Sequence, residues 1–364
     1  MQLKHISQYL ESLAPLSLQE SYDNSGLLIG SYDKEINKVL ISLDITHEVM
    51  DEAIENGCEL IIAHHPLIFK GLKRLNGGNM VEDLVIKAIK NDIALYAIHT
   101  NLDNVAEGVN GRLAQKIGLS HCKVLSPTKH ILKKLVVFCP QSHAPQIREA
   151  ILEAGGGHIG NYSHCSFNTD GTGSFKALDG ATPFVGEPEK IHFEDEVRLE
   201  TIVPNYLLYK VVAAMLKSHP YEEVAYDIYP LENSYDTIGA GMIGELSKPE
   251  EIESFLLHLK QNLAAASIRH SPLVAHPIRK VAICGGSGSF LMNEAFNQGA
   301  DIFITGDLKY HDFFHYQGKM TLVDAGHYET EQFAKDLLFD VLSKKFPTFA
   351  IQKSKFNTNP ISFL

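Results

Sequence analysis

The chain has 364 residues, 45% hydrophobic and 21% charged, with a formal net charge of -12. That is an ordinary balance for a globular protein with room for two or three domains. The acidic excess argues against a duplex nucleic-acid partner, which requires clustered Lys and Arg to neutralise phosphates, but leaves room for a local basic pocket.

In chain order, MQLKHISQYLESLAP reads as an amphipathic helix and not as a secretion signal, and no apolar run is long enough to span a bilayer. The β-rich run Val39 to Leu43 ends in Asp44 and Thr46, and a helix follows to about Asn56. Leu60 to Ala63 reads as a short strand buried on both faces. His64 and His65 emerge where it ends, and Pro66 stops it. Neighbours on an extended chain point to opposite sides, so the pair suits two adjacent ions better than one. A loop rich in Gly, Lys and Asn leads to a helix from about Val81 to Lys90, and a strand, Ile93 to Ile98, runs into HTNLDN. Strand, helix, strand at these intervals signals a parallel sheet with crossover helices, whose strand carboxyl ends are where ligands bind.

From about Ser126 to Ser234 the pattern changes. Lys134 to Cys139 reads as a strand, Ala144 to Ala154 as a helix, NTDGTGSFKALDG as an extended hairpin or loop, and Glu196 to Ile202 as a strand. Tyr206 to Lys217 reads as a helix with Asn205 as N-cap, and Glu223 to Tyr229 as a strand. A βαβ-type unit written twice suggests a ferredoxin-like α+β domain, placed at 130–233. The α/β pattern then returns, giving a first domain of 1–125 plus 236–364 with a mostly parallel sheet. Val281 to Cys284 ends in GGSGS, ADIFITGD ends at Asp307, and Thr321 to Val323 ends in DAGHYETE, with a long amphipathic helix over Glu329 to Lys344. The five cysteines, Cys58, Cys122, Cys139, Cys165 and Cys284, are odd in number and lack a CxxC pair. They fit reduced thiols in a cytoplasmic protein and not a disulfide framework or a thiolate zinc site.

The residues gathered at predicted strand ends are His64, His65, Asp103, His327 and Glu331. Imidazole and carboxylate together suit borderline divalent ions, zinc foremost, with manganese, iron, cobalt or magnesium as alternatives. Two ions roughly 3.5–4 Å apart need a bridging carboxylate, and Glu331 is the natural choice. Few protein ligands per ion leave positions open for water, a catalytic arrangement. Asp44, His99 and Asp307 sit on the same rim, where each could orient a ligand imidazole or cap a turn. Lys70, Lys73 and Arg74 could meet a triphosphate or be a solvated loop. GGSGS at 285–289 follows a strand and opens a helix, which makes it a weak phosphate cradle or simply a tight turn. His311 and His315 in YHDFFHY read as a half-buried amphipathic helix, with His311 a pocket residue at most. His219 reads as structural or interfacial.

AHHPLIF, HTNLD, TGD and DAGHYETE, in this order, resemble the GTP cyclohydrolase 1 type 2 homologues, the NIF-three-like dinuclear metal proteins. YDNSGLLIG at 22–30 and SLDIT at 42–46 match two further stretches. Tyr22 departs from the usual Trp, a change of packing and not of ligands. The resemblance implies that His65 and Asp103 bind one ion, His64 and His327 the other, and that Glu331 bridges them. It also implies a PII-like insertion ending in SHPYEEVAYDIYPL, and a homohexamer of two stacked trimers. The implied reaction is hydrolytic opening of the guanine ring of GTP by metal-activated water, with release of formate. The expected partner is thus a nucleotide-like or phosphorylated small molecule, with neither duplex nucleic acid nor membrane. The alternative is a metal- or metabolite-responsive regulator or scaffold whose metal site is structural.

Overall fold

A computed structural model describes all 364 residues. The chain divides into two compact units, Met1–Pro127 with Thr237–Leu364, and Thr128–Asp236. No helix is long and apolar enough to cross a membrane.

The first unit is a mixed α/β structure with two sheets where the sequence pattern suggests one. In the first sheet the strands lie in the order Gly26–Ile29, Ala94–Ala97, Leu60–Ala63, Lys38–Ser42 and Ala350–Lys353. The first pairing is antiparallel and the other three are parallel. The second sheet has the order Arg269–His270, Thr321–Asp324, Ile302–Gly306, Ile278–Ser287, Tyr235–Glu250 and Ser120–Thr128. Its middle strands, from Thr321–Asp324 through Ile302–Gly306 to Ile278–Ser287, run parallel, and Tyr235–Glu250 returns antiparallel.

Sequence accounts for the central strands directly. LIIA, ALYA, IFITG and TLVD are buried at every position, as continuous apolar runs must be when helices cover both faces. One core packs Leu40, Ile61 and Leu95 against Val49, Ala53 and Leu84 of the crossover helices. Each such Leu, Ile or Val side chain contributes about 1.5–3 kcal/mol when fully buried. The crossover helices start where side chains satisfy their first amides. Thr46 Oγ1 accepts from Val49 N ahead of His47–Glu55, and Asn79 accepts from Glu82 N ahead of Met80–Lys90. Thr46, and not Asp44, is therefore the cap, which frees Asp44 for the site described below.

Several elements differ from the sequence reading. The sixteen-residue strand Tyr235–Glu250 is rich in Gly and charged residues, so its pattern is hidden. The expected long helix after DAGHYETE is two, His327–Glu331 and Ala334–Lys345. YHDFFHY is a short 3₁₀ turn with no buried residue, not a half-buried helix, and His311 and His315 are exposed.

The second unit has one four-stranded antiparallel sheet. Its order is Ser166–Lys176, Ile191–Pro204, Leu132–Pro140 and Tyr226–Pro230. Helices Ala144–Glu153 and Leu208–Ser218 connect the strands and pack Ile147, Ile151, Val211 and Met215 against Leu135, Val137, Val197 and Leu199. Asn205 does not cap the second helix; it opens a 3₁₀ turn, Asn205–Leu207, that leads into it.

The approach of the loop after Asp103 to the helix Val109–Ile117 requires glycine at 108. A Cβ there would stand 1.7 Å from the Leu102 carbonyl oxygen and 2.9 Å from that of Val105. Gly108→Ala is expected to destabilise the fold by about 2–4 kcal/mol, whereas Gly71→Ala, with nothing within 4 Å, should change stability by less than about 0.5 kcal/mol. Chemical denaturation of the two variants checks this, and equal effects would refute it.

Candidate metal centre

Parallel strands bring their carboxyl ends to one side of each sheet. Leu60–Ala63 delivers His64 and His65, Ala94–Ala97 delivers His99, Ile302–Gly306 delivers Asp307, and Thr321–Asp324 delivers His327. The His64 and His65 rings stand 5.0 Å apart and tilted by 43°. Both turn toward Glu331, contrary to the expectation that they diverge, because the strand and its alternation end at Ala63. His65 Nε2 lies 2.9 Å from Glu331 Oε2, and His64 Nε2 lies 3.9 Å from the same oxygen. His327, one helical turn before Glu331, brings its Nε2 to 3.0 Å. Asp103 Oδ1 is 3.6 Å from His64 Nε2.

These side chains form two groups of mutually close donors that share Glu331: His64, Asp103 and Glu331, and His65, His327 and Glu331. The pairing differs from the one the resemblance implies, which joins His65 to Asp103 and His64 to His327. His99 forms a third group with His64 and His65.

Each imidazole is held through its other nitrogen. His64 Nδ1 donates to the Ile98 carbonyl (2.8 Å), His65 Nδ1 to Asp44 (2.7 Å), His327 Nδ1 to Asp307 (2.6 Å) and His99 Nδ1 to Asp23 (2.8 Å). These acceptors fix Nδ1 as the protonated nitrogen and leave Nε2 to face the centre. Thr358 Oγ1 in turn donates to Asp44 (2.6 Å), and Asp23 accepts from Thr100 N and Oγ1. Asp23 and Thr358 escaped the sequence reading. The only signal for Asp23 was its place in YDNSGLLIG, and Thr358 had none.

The electrostatics follow from burial against partners. Burial pushes the His64 imidazole down to about 3, despite the nearby Glu331 charge. Burial also opposes charging His65, but hydrogen bonds to Asp44 and Glu331 prevail and raise it to about 10. In the same way, Glu331 and Asp307 outweigh burial at His327 and raise it to about 9. Burial alone would raise the Glu331 carboxyl, but the imidazoles of His327 and His65 hold it well below its usual range. Asp103 is driven the other way, well above the usual range, by burial and by the Glu331 charge.

The donor set fits divalent cations. His64 Nε2 and Asp103 Oδ1 are buried with no hydrogen-bond partner, a cost that buried polar atoms rarely bear unless a ligand meets them. The space is kept by Gly286, at φ +60°, where a Cβ would lie 2.1 Å from Glu331 Oε1. A cavity of about 360 Å³ adjoins the centre, reached by His99, Asp103, His327 and Glu331 and flanked by the exposed rings of Tyr22 and Phe290.

Other candidates fall outside it. Lys70, Lys73 and Arg74 lie exposed on their loop, and His311 is exposed on its turn; none lines the cavity. GGSGS is not a phosphate cradle. The strand Ile278–Ser287 runs through it, and the amides of Gly285, Gly286 and Gly288 already donate to Asn110, Thr330 and Thr305. Cys284 lines the cavity, and burial pushes its thiol up, which disfavours a thiolate ligand.

Residues 1–360 match the family model of Duf34/NIF3, NGG1p interacting factor 3. The chain belongs to the DUF34/NIF3 family. It is similar to the GTP cyclohydrolase 1 type 2 homologs of Halalkalibacterium halodurans (43% identity, covering 99% of this chain and 98% of the relative) and Bacillus subtilis (41%, with 99% and 98% covered). Among solved structures it is similar to the Bacillus cereus protein related to NIF3, with a TM-score of 0.87 and 41% identity, covering 100% of this chain and 99% of that one. Membership in the DUF34/NIF3 family thus spans both units of the fold.

With folded values of about 10 and about 9, His65 and His327 carry protons at neutral pH in metal-stripped protein, and a cation must displace both. Zinc titration at pH 7 is expected to release about two protons or more, with affinity rising as pH rises toward about 10. An indicator-dye titration checks this, and uptake without proton release would refute it.

Proposed function

We propose that the chain is a dinuclear-metal hydrolase acting on a nucleotide-like or otherwise phosphorylated small molecule, with GTP ring opening as the reaction to test. The observation that supports it is the convergence of three imidazole nitrogens and a second carboxylate on one buried carboxylate beside a solvent-reaching cavity. His64, Asp103 and Glu331 would hold one ion and His65, His327 and Glu331 the other, with zinc the first choice for this donor set. When bound, such ions lower the pKa of water and polarise an electrophile.

The chain's own residues would do the rest. Asp44, Asp307 and the Ile98 carbonyl keep three imidazoles aimed. The cavity lining contains no Lys or Arg, so an anionic substrate depends on the ions for countercharge, while Tyr22 and Phe290 offer faces for a planar ring. His99, held by Asp23 through Nδ1, has Nε2 free to take or give a proton.

A regulatory or scaffold role with a structural site draws support from the position of Glu331, which ties the ends of both sheets of the first unit together. Strand order and alternation support reading the second unit as a ferredoxin-like, PII-like insertion. Assembly as a cytoplasmic homohexamer belongs to the same reading.

Metal analysis beside formate release from GTP separates these readings. Wild type is expected to carry about two ions and to turn over, Glu331→Gln neither. Chelation that abolishes fold and turnover together would favour the structural role. Metal content intact but turnover absent would refute GTP as substrate. His99→Gln should keep its metal and lose about a hundred- to ten-thousandfold in kcat; unchanged kcat would remove His99 from the chemistry. The double variant His64→Gln, Asp103→Asn should retain about one ion under this grouping, whereas loss of both would restore the pairing of His65 with Asp103.

A further inference from the structure

The second unit holds a cavity that the proposed hydrolase chemistry does not use. It has a volume of about 570 Å³, within the range of small-ligand sites. Phe138, Phe175, Phe184 and Tyr221 are the aromatic residues of its lining. The Tyr221 ring lies 6.2 Å from Phe175 and 6.2 Å from Phe184, tilted by 58° and 47°. Rings tilted in this way do not stack on one another. They form a corner of differently oriented rings along one cavity, an arrangement in which a cation can meet more than one negatively polarised face.

The charged groups of the cavity are mostly acidic. Glu196, Glu222 and Glu223 line it. Glu196 Oε1 accepts from the Tyr221 hydroxyl at 3.0 Å, which ties a carboxylate to an aromatic wall. Its Oε2 lies 2.1 Å from where a Cβ on Gly173 would stand, so glycine at this strand position makes room for the carboxylate. The only basic residue in the lining, Lys176, is paired with Glu189 at 2.7 Å. His219, behind Tyr221, accepts from Tyr221 N through Nδ1 and donates from Nε2 to the Phe138 carbonyl. An imidazole with one nitrogen accepting is neutral, so it adds no positive charge.

We propose that this cavity binds a small organic cation, an alkylammonium or methylated ammonium headgroup seated against Phe175, Phe184 and Tyr221 with Glu196 as counter-charge. An anion is disfavoured by three carboxylates, and a neutral apolar ligand would leave Glu196 without a compensating charge. A bare metal ion would have to shed a tightly held hydration shell to meet the rings, whereas a diffuse, weakly hydrated ammonium matches both rings and carboxylate.

The test uses the full chain labelled with fluorotyrosine, read by fluorine NMR. The resonance lost in Tyr221→Phe identifies Tyr221. Choline and tetramethylammonium are titrated against the neutral carbon isostere of choline, in which a tert-butyl group replaces the trimethylammonium. The expected result is a saturable shift of the Tyr221 resonance with the cations and about three- to tenfold weaker binding of the isostere. Glu196→Gln and Phe184→Leu should each weaken the cations by a similar factor. Phe184 is 52% exposed, so its variant should retain the fold even if the Glu196 variant does not. Equal affinity for cation and isostere, insensitivity to Phe184→Leu, or no saturable shift with either cation would overturn the proposal.

Discussion

The Glu331 carboxylate is the constraint on which the first unit is built. It is 3% exposed, and a charge so buried is tolerated only with close partners of opposite sign. His65 and His327 supply them at 2.9 and 3.0 Å, and each is itself anchored by a carboxylate, Asp44 or Asp307. The alternating chain of acid, imidazole, acid, imidazole, acid therefore runs from one sheet to the other through a single oxygen. Removing His65 or His327 would leave the buried Glu331 carboxylate short of a partner, which costs more than the hydrogen bond itself.

The same network explains the unequal fates of chemically identical groups. His64 and His65 are sequence neighbours, yet one imidazole is pushed down to about 3 and the other up to about 10. Complete burial drives His64 down, with only a neutral carbonyl at Nδ1 and Glu331 beyond hydrogen-bond distance, whereas the less buried His65 meets a carboxylate at each nitrogen, Asp44 and Glu331. Asp103 and Glu331 divide in the same manner, because only Glu331 receives hydrogen bonds from imidazoles. Burial opposes the charged form of all four to different degrees, and where hydrogen-bonded partners of opposite charge are present they decide the sign.

How much of this was legible in the sequence follows from which contacts are local. The buried strands LIIA and IFITG announced themselves by apolar runs, and the strand-end histidines by their place just after them. His327 and Glu331 sit one helical turn apart, a spacing visible in one dimension. Asp23 and Thr358 reach the site from 76 residues before His99 and 314 residues after Asp44, so no window of sequence contains the relation. The Tyr235–Glu250 strand was hidden because glycines and charges break its alternation, and the parting of one expected sheet into two followed from that omission. The common orientation of His64 and His65 is not legible from strand alternation, because the strand stops at Ala63 and alternation carries no information past it.

The second unit leaves the first from the strand Ser120–Thr128 and re-enters through Tyr235–Glu250, and these strands are neighbours in one sheet. Ser120 Oγ donates to the Glu245 carbonyl, and Gly239 lies against Ser126, so the two run antiparallel like the arms of a hairpin. His65 and Glu331 are 266 residues apart, yet once that hairpin is zipped the intervening unit no longer counts toward the contour that must be closed. Entropy of closure depends on the free chain length between contacts, and here the insertion is short-circuited at its base. A segment of that kind can be gained, lost or exchanged in evolution without lengthening the search that assembles the five-residue centre.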